Sequence, residues 1–257
     1  MESLKVSNLC KTYIVNKRQN NVLRNVNLEI KSGEMVAVMG PSGSGKTTLL
    51  YTVSGMDEAS AGKVDFFGKE LTNLKANEMS DLRLQEMGFV FQQMYMLKNL
   101  SIYDNIILPA YQASHDHKTS SRHEIKERAN MLMQKLGIND VADNAVTEVS
   151  GGQLQRACIC RSLINQPKII FADEPTGALN KQNSIDVMRE LTNINAEGTS
   201  IMLVTHDMKV ASQCERVLYI EDEDIRDEIT LGKYQVTDDM RARERKLNDW
   251  LIKMGGW

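Results

Sequence analysis

The sequence predicts an α/β protein: a largely parallel sheet covered by helices, with an inserted helical subdomain. Three observations carry this. Short apolar runs that read as buried strands, at residues 35–39, 168–172, 200–205 and 217–220, alternate with helical stretches. A glycine-rich loop, Gly40-Pro41-Ser42-Gly43-Ser44-Gly45-Lys46-Thr47, joins the first of these runs to a helix start. Between about residues 95 and 165 strand signals vanish and the pattern becomes mainly helical.

In chain order, residues 4–9 and 26–30 alternate apolar and polar side chains, as half-buried strands do. Lys31-Ser32-Gly33 turns the chain into the buried strand 35–39, and Lys46–Val53 starts a helix behind the glycine loop. Residues 64–67 form another strand before a turn at Gly68. The helical region carries a polar break, expected at 112–121, that contains His115 and His117, with His123 just beyond. No cysteine or carboxylate pattern completes a metal site there, so a solvated loop is expected. After strand 168–172 come a helix over 182–195, strand 200–205 and strand 217–220. The run Glu221-Asp222-Glu223-Asp224 makes a charged hairpin turn into strand 225–229. In the tail, Met240, Leu247, Trp250, Leu251 and Met254 share one face of a helix, with Arg241, Arg243, Arg245 and Lys246 supplying charge. That helix either packs back on its own domain or contacts a partner or the membrane surface. Both tryptophans, Trp250 and Trp257, lie in this tail. The expected division is one domain over 1–231, with the helical subdomain inserted at about 95–165, and a tail over 232–257.

Composition narrows the function. The 257 residues carry a formal charge of −3 without a dominant basic block, which argues against nucleic acid as a partner. The four cysteines, Cys10, Cys158, Cys160 and Cys214, are scattered and suit reduced, buried thiols in a cytoplasmic protein. The first residues lack a charged-then-apolar leader pattern. Nothing approaches the roughly 18 consecutive apolar residues of a membrane span, so any membrane role is expected to come through a partner.

The glycine loop fits G-x-x-x-x-G-K-[ST] at each fixed position. Glycines let backbone N–H groups face phosphate oxygens, and the following helix adds the positive end of its dipole. Lys46 would reach β- and γ-phosphates, Thr47 would ligate Mg²⁺, and Thr48 follows in the same turn. The strand 168–172 runs into Asp173 and Glu174. Hydrolysis of a nucleotide needs one acid to hold hydrated Mg²⁺ and another to polarise water, and side-chain alternation suits Asp173 to the first and Glu174 to the second. Alone, such a pair also fits a solvated strand edge. His206, after strand 200–205, reads either as structural or as a γ-phosphate ligand. Gln92 could touch Mg²⁺ or the water, although an isolated glutamine is not diagnostic, and Tyr13 is either a strand aromatic or an adenine-stacking ring.

The order and spacing of these residues resemble the ATP-binding subunit of an ABC transporter over about residues 1–231, which implies a P-loop NTPase fold whose ABC-type core joins the parallel sheet to an antiparallel β subdomain, with the inserted α-helical subdomain carrying the signature. The resemblance makes Gly40, Pro41, Ser42, Gly43, Ser44, Gly45, Lys46, Thr47 and Thr48 the Walker A region and sets Tyr13 where the family stacks adenine. It makes Gln92 the Q-loop glutamine, with Thr47, Gln92 and Asp173 as ligands of Mg²⁺. Ser150, Gly151, Gly152 and Gln153 become the signature, preceded by Val149 where leucine is commoner. Glu174 becomes the catalytic base, His206 the switch histidine, and Ala178-Leu179-Asn180 the D-loop, with asparagine where aspartate is usual. The family closes two copies head to tail over two ATP molecules, each held between one copy's Walker A loop and the other's signature, so a homodimer and a membrane permease are the implied partners. The implied location is cytoplasmic, at the inner face of the membrane through that permease. A finer likeness, in Phe89-Val90-Phe91-Gln92 and in Ala172-Asp173-Glu174-Pro175-Thr176-Gly177, is to the bacterial branch serving lipoprotein release, macrolide export and resistance to antimicrobial peptides of the bacitracin type. Lys98-Asn99 departs from the leucine-proline common after the Q-loop in that branch. Two other classes remain: a soluble ABC ATPase acting on DNA or ribosomes, and a nucleotide-gated regulatory protein with negligible turnover.

Overall fold

The computed structural model describes residues 3–117, 120–235 and 237–255, so Trp257 lies outside the described residues. In chain order the elements are β1 (Ser3–Val15), β2 (Arg18–Lys31), β3 (Met35–Met39), α1 (Lys46–Val53), β4 (Ala61–Phe66) and β5 (Lys69–Glu70). Then follow α2 (Ala76–Glu86), β6 (Met87–Phe91), α3 (Ile102–His117), α4 (Arg122–Lys135) and α5 (Gly151–Leu163). The last are β7 (Ile169–Asp173), α6 (Lys181–Ala196), β8 (Ser200–Val204), α7 (Met208–Ala211), β9 (Arg216–Glu221), β10 (Asp224–Thr230) and α8 (Met240–Lys253). The chain divides into two compact units, Met1–Met79 with Thr192–Trp257, and Ser80–Leu191.

The first unit holds an antiparallel sheet in the order β2-β1-β4-β5 and the strand series β10-β9-β3-β8. In that series β3 pairs in parallel with both β8 and β9, and all five residues of β3 and of β8 are buried. Such strands carry continuous apolar runs because both faces are covered. The antiparallel β1 and β2 run longer than the expected 4–9 and 26–30, joined by Asn16 and Lys17 at φ of 52° and 63°. Two successive residues with positive φ match the twist of a two-residue hairpin. Asp222 and Glu223 do the same between β9 and β10, at φ of 47° and 71°, where the charged turn was expected.

The tail helix α8 packs back on this unit. Asp239 caps it, Leu247, Trp250 and Leu251 are buried, and the Trp250 indole donates to Asp227 Oδ2 at 2.8 Å on β10. The Arg243 guanidinium donates to the carbonyls of Ser212, Cys214, Leu231 and Gly232, which fastens the helix by its charged side as well.

In the second unit β6 and β7 form a parallel pair with Phe91 opposite Asp173. Helices α3, α4 and α5 occupy the stretch expected to be helical. The polar break expected at 112–121 is corrected. Helix α3 continues through residue 117, because buried Ala110 and Ala113 carry its inner face past Pro109; residues 118 and 119 of the expected break lie outside the described residues. His115 and His117 are thus helical, and Ser121 starts α4 with a capping box to Glu124. Cys158, Cys160 and Cys214 are buried free thiols; burial pushes Cys158 up to about 11 and raises the other two. Among the described residues no helix is long and apolar enough to cross a membrane.

Candidate functional site: a phosphate loop, a carboxylate turn and a capped glycine helix

In the first unit, β3 ends at Met39 and the glycine loop leads into α1. Gly40 has φ 149°, and a Cβ there would lie 2.1 Å from the Ile220 carbonyl oxygen, so the loop leaves its strand only because this residue has no side chain. Gly45 begins α1 in the left-handed region, with no side-chain cap on the helix. The Lys46 ammonium folds back over the loop and donates to the carbonyls of Gly40 at 2.9 Å and Pro41 at 2.6 Å. The Ser44 hydroxyl is buried without a hydrogen-bond partner among the described residues, an acceptor and donor set into the loop wall. A cavity of about 460 Å³ borders Pro41, Ser42, Gly43 and Ser44, with Asn20 and Glu221 on its other sides. The loop therefore offers uncapped helix amides, a cation and a spare hydroxyl together, a set that fits an anionic phosphate chain.

Two other expected residues share this unit. The register Val38 with Val204 sets Gly40 and His206 each two residues past a paired position, at the same end of β3 and β8. His206 is exposed, held next to buried Thr205, whose N–H donates to the Val38 carbonyl. Tyr13, on β1, donates its hydroxyl to Asp57 Oδ2 at 2.5 Å and is hydrogen-bonded to the Thr48 side chain on α1. Burial and the Asp57 bond hold its phenol above the ordinary value, so it stays protonated.

The second unit assembles the other expected residues. Because Phe91 pairs with Asp173, Gln92 and Glu174 follow side by side at the ends of β6 and β7. Glu174 has φ 47°, a conformation unusual for a residue with a side chain, and Gly177 N–H closes the turn onto its carbonyl at 3.0 Å. Gln92 Nε2 comes within 3.0 Å of where a Cβ on Gly177 would be, so this glycine makes room for the glutamine beside the carboxylate turn. Strain of this kind, kept at a turn bearing an acid and an amide, is typical of a site with chemistry to do.

The signature residues form the start of α5. Ser150 is its N-cap, its Oγ accepting from Gln153 N at 3.3 Å, while Gln153 Oε1 accepts from Ser150 N at 3.0 Å. The Gln153 carboxamide is therefore occupied in shaping the helix end. Asn180 takes the cap position of α6, with Oδ1 accepting from Asn183 N at 2.9 Å, a role aspartate fills equally well. A Cβ on Gly152 would lie 2.6 Å from Asn183 Cγ, and one on Gly151 would lie 3.7 Å from Leu179, so the start of α6 is seated on the glycines of α5.

Sequence reasoning did not single out Gln155, fully buried, which donates to the Pro175 carbonyl at 2.8 Å and ties α5 to the turn after Glu174. Nor did it find Asn105, which pins the loop after Gln92 by bonds to Leu97, Leu100 and Ser101. Asp57 and Lys11 were missed as well. Neither carries a motif or periodic signal, since Asp57 stands in the mixed stretch Ser54–Ser60 and Lys11 beside Thr12.

Comparison with known proteins gives a consistent answer. A family model described as ABC transporter matches residues 23–177. The macrolide export ATP-binding/permease protein MacB of Psychrobacter arcticus is 41% identical over 219 residues, 85% of this chain but 32% of that protein. The chain thus spans about a third of the length of the macrolide relatives it matches. The bacitracin export ATP-binding protein BceA of Halalkalibacterium halodurans is 37% identical over 233 residues, 90% of each chain. Among solved structures, the dimeric cassette MJ0796 in a post-hydrolysis state with ADP and Pi superposes with a TM-score of 0.82 at 35% identity, covering 90% of this chain and 100% of that one.

Proposed function

The chain belongs to the ABC transporter family, and from that premise we propose that it is the ATP-binding and ATP-hydrolysing subunit powering a membrane permease. The observation that carries the reading is the glycine loop, where an uncapped helix start, the Lys46 ammonium and the unpartnered Ser44 hydroxyl converge. In this reading ATP draws Lys46 from the Gly40 and Pro41 carbonyls onto its β- and γ-phosphates. The amides of residues 43–48 surround the phosphate chain, and adenine stacks on Tyr13. Glu174 orients and deprotonates the attacking water, and His206 holds the γ-phosphate. Thr47, Gln92 and Asp173 supply a hydroxyl, an amide oxygen and a carboxylate, the donor types a small hard cation takes, and would hold Mg²⁺. When bound, the ion neutralises charge on the phosphates.

The amides of Gly151 and Gly152 from a second copy, held in place by the Ser150–Gln153 cap, complete the γ-phosphate site, so ATP closes a homodimer and phosphate release reopens it. The permease to which that motion is coupled would anchor the chain at the cytoplasmic face of the membrane. A role in export of, or resistance to, antimicrobial peptides, drugs or lipid-linked compounds is supported by relatives named for bacitracin export, macrolide export and lipoprotein release. Asn180, as a helix cap, leaves hydrolysis intact. The test is phosphate release and nucleotide binding by the purified full chain. Wild type is expected to turn over ATP and Lys46→Ala to lose nucleotide binding. Wild-type binding without turnover would move the protein to the nucleotide-gated regulatory class.

A further inference from the structure

A half-buried polar cluster lies around Tyr13, in the same unit as the glycine loop. Lys11 on β1 is only 7% exposed, and its ammonium donates to Asp57 Oδ1 at 2.5 Å and to the Glu58 carbonyl at 2.7 Å. The same ammonium sits 4.7 Å from the centroid of the Tyr13 ring, covering it with a cation. Asp57, a few residues past the end of α1, holds Lys11 with one carboxylate oxygen and accepts from the Tyr13 hydroxyl with the other. The Thr48 side chain, on the turn of α1 that also carries Lys46 and Thr47, hydrogen-bonds the same hydroxyl. Burial works against the Asp57 charge, yet the bonds from Lys11 and Tyr13 and the Lys11 charge hold its carboxyl below the usual range. It is therefore a carboxylate acceptor at neutral pH.

We infer that Lys11, Asp57 and Thr48 are positioning residues that fix the Tyr13 ring relative to the phosphate-binding helix, so that the face turned from Lys11 is set to receive a purine base. The inference rests on the proposed stacking of adenine on Tyr13. An aromatic on a strand would otherwise choose among rotamers at each binding event. Here its hydroxyl is tied to the element that holds the phosphates, which fixes the distance from base to phosphate chain in advance. Freezing such a group before binding raises affinity by removing an ordering cost. The three residues touch no phosphate in this scheme, so their effect is confined to ligands that carry a base.

The test is calorimetric titration of the full chain with ATP and with inorganic tripolyphosphate, which shares the phosphates and lacks the base. Tyr13→Phe keeps the stacking ring and removes both hydroxyl anchors. It is expected to bind ATP about five- to tenfold more weakly, within the range of one base stack, and tripolyphosphate with unchanged affinity. Asp57→Asn is expected to do the same, and Lys11→Arg, which keeps the cation over the ring, to stay near wild type. ATP binding by Tyr13→Phe equal to wild type would overturn the inference. So would equal weakening toward both ligands, which would make the cluster a support of the loop and not of the base. Failure of wild type to bind either ligand would instead remove the proposed function and the inference with it.

Discussion

Helices α1 and α5 both start beside glycine, Gly45 at the cap position of α1 and Gly151 as the first residue of α5, but only α5 brings its own side-chain cap. At α1, Gly45 lies in the left-handed region with no side chain closing the helix end. At α5, Ser150 and Gln153 satisfy each other's backbone N–H groups. The first amides of any helix lack partners within it. A helix end left uncapped leaves its donors to a ligand, and α1 adds the Lys46 ammonium to them. A capped end keeps its shape without a ligand and offers only what the cap spares, here the amides of Gly151 and Gly152. The difference matches the division of labour proposed for the two: α1 grips a whole phosphate chain within one copy, and α5 presents a preformed edge to the nucleotide of another.

The comparison can be broken or sharpened by substitution, beginning with the carboxylate turn that neither helix replaces. Glu174→Gln keeps both helix ends and removes only the base, so ATP binding is expected to persist while phosphate release falls about 10²–10⁴-fold. Turnover near wild type would remove Glu174 from that role. Next, a methyl group at the two glycine sites should be felt unequally. Gly40→Ala meets the Ile220 backbone at a positive φ and is expected to cost on the order of 3 kcal/mol in chemical denaturation. Gly152→Ala meets only the Asn183 side chain, so it should cost about 1 kcal/mol or less and be rescued by Asn183→Ala, because alanine also favours helix. Smallest is the cap itself. Ser150→Ala should lower stability by about 1 kcal/mol and leave ATP binding to the single chain unchanged, while hydrolysis falls. If Ser150→Ala weakened ATP binding in the isolated chain, the assignment of α5 to the other copy's nucleotide would need revision.

Much of this was legible in the sequence where chemistry is local. The strand Met35–Met39 and the helix Lys46–Val53 follow from an unbroken apolar run and a glycine-lysine-threonine turn, and the structure bounds them at those residues. The Asp222–Glu223 turn is equally local, fixed by a few neighbouring residues. The polar stretch after Gln112 misled because exposure and loop look alike in one dimension. Only the burial of Ala110 and Ala113 shows the helix continuing. The anchors Asp57 and Gln155 were illegible for a different reason. Each is a polar residue whose partner lies far along the chain, Tyr13 for Asp57 and Pro175 for Gln155, so neither leaves a periodic or motif signature. The left-handed backbone of Glu174 was hidden likewise, since nothing in a strand ending Asp-Glu announces it.

The pairing of an open helix end in one copy with a capped one in another is tested most directly by the mass of Glu174→Gln in solution, measured by light scattering with and without ATP. The expected result is a monomer that becomes a dimer on adding ATP, and stays a monomer when Ser150→Ala is combined with it. A Glu174→Gln chain that binds ATP and remains monomeric would contradict the account.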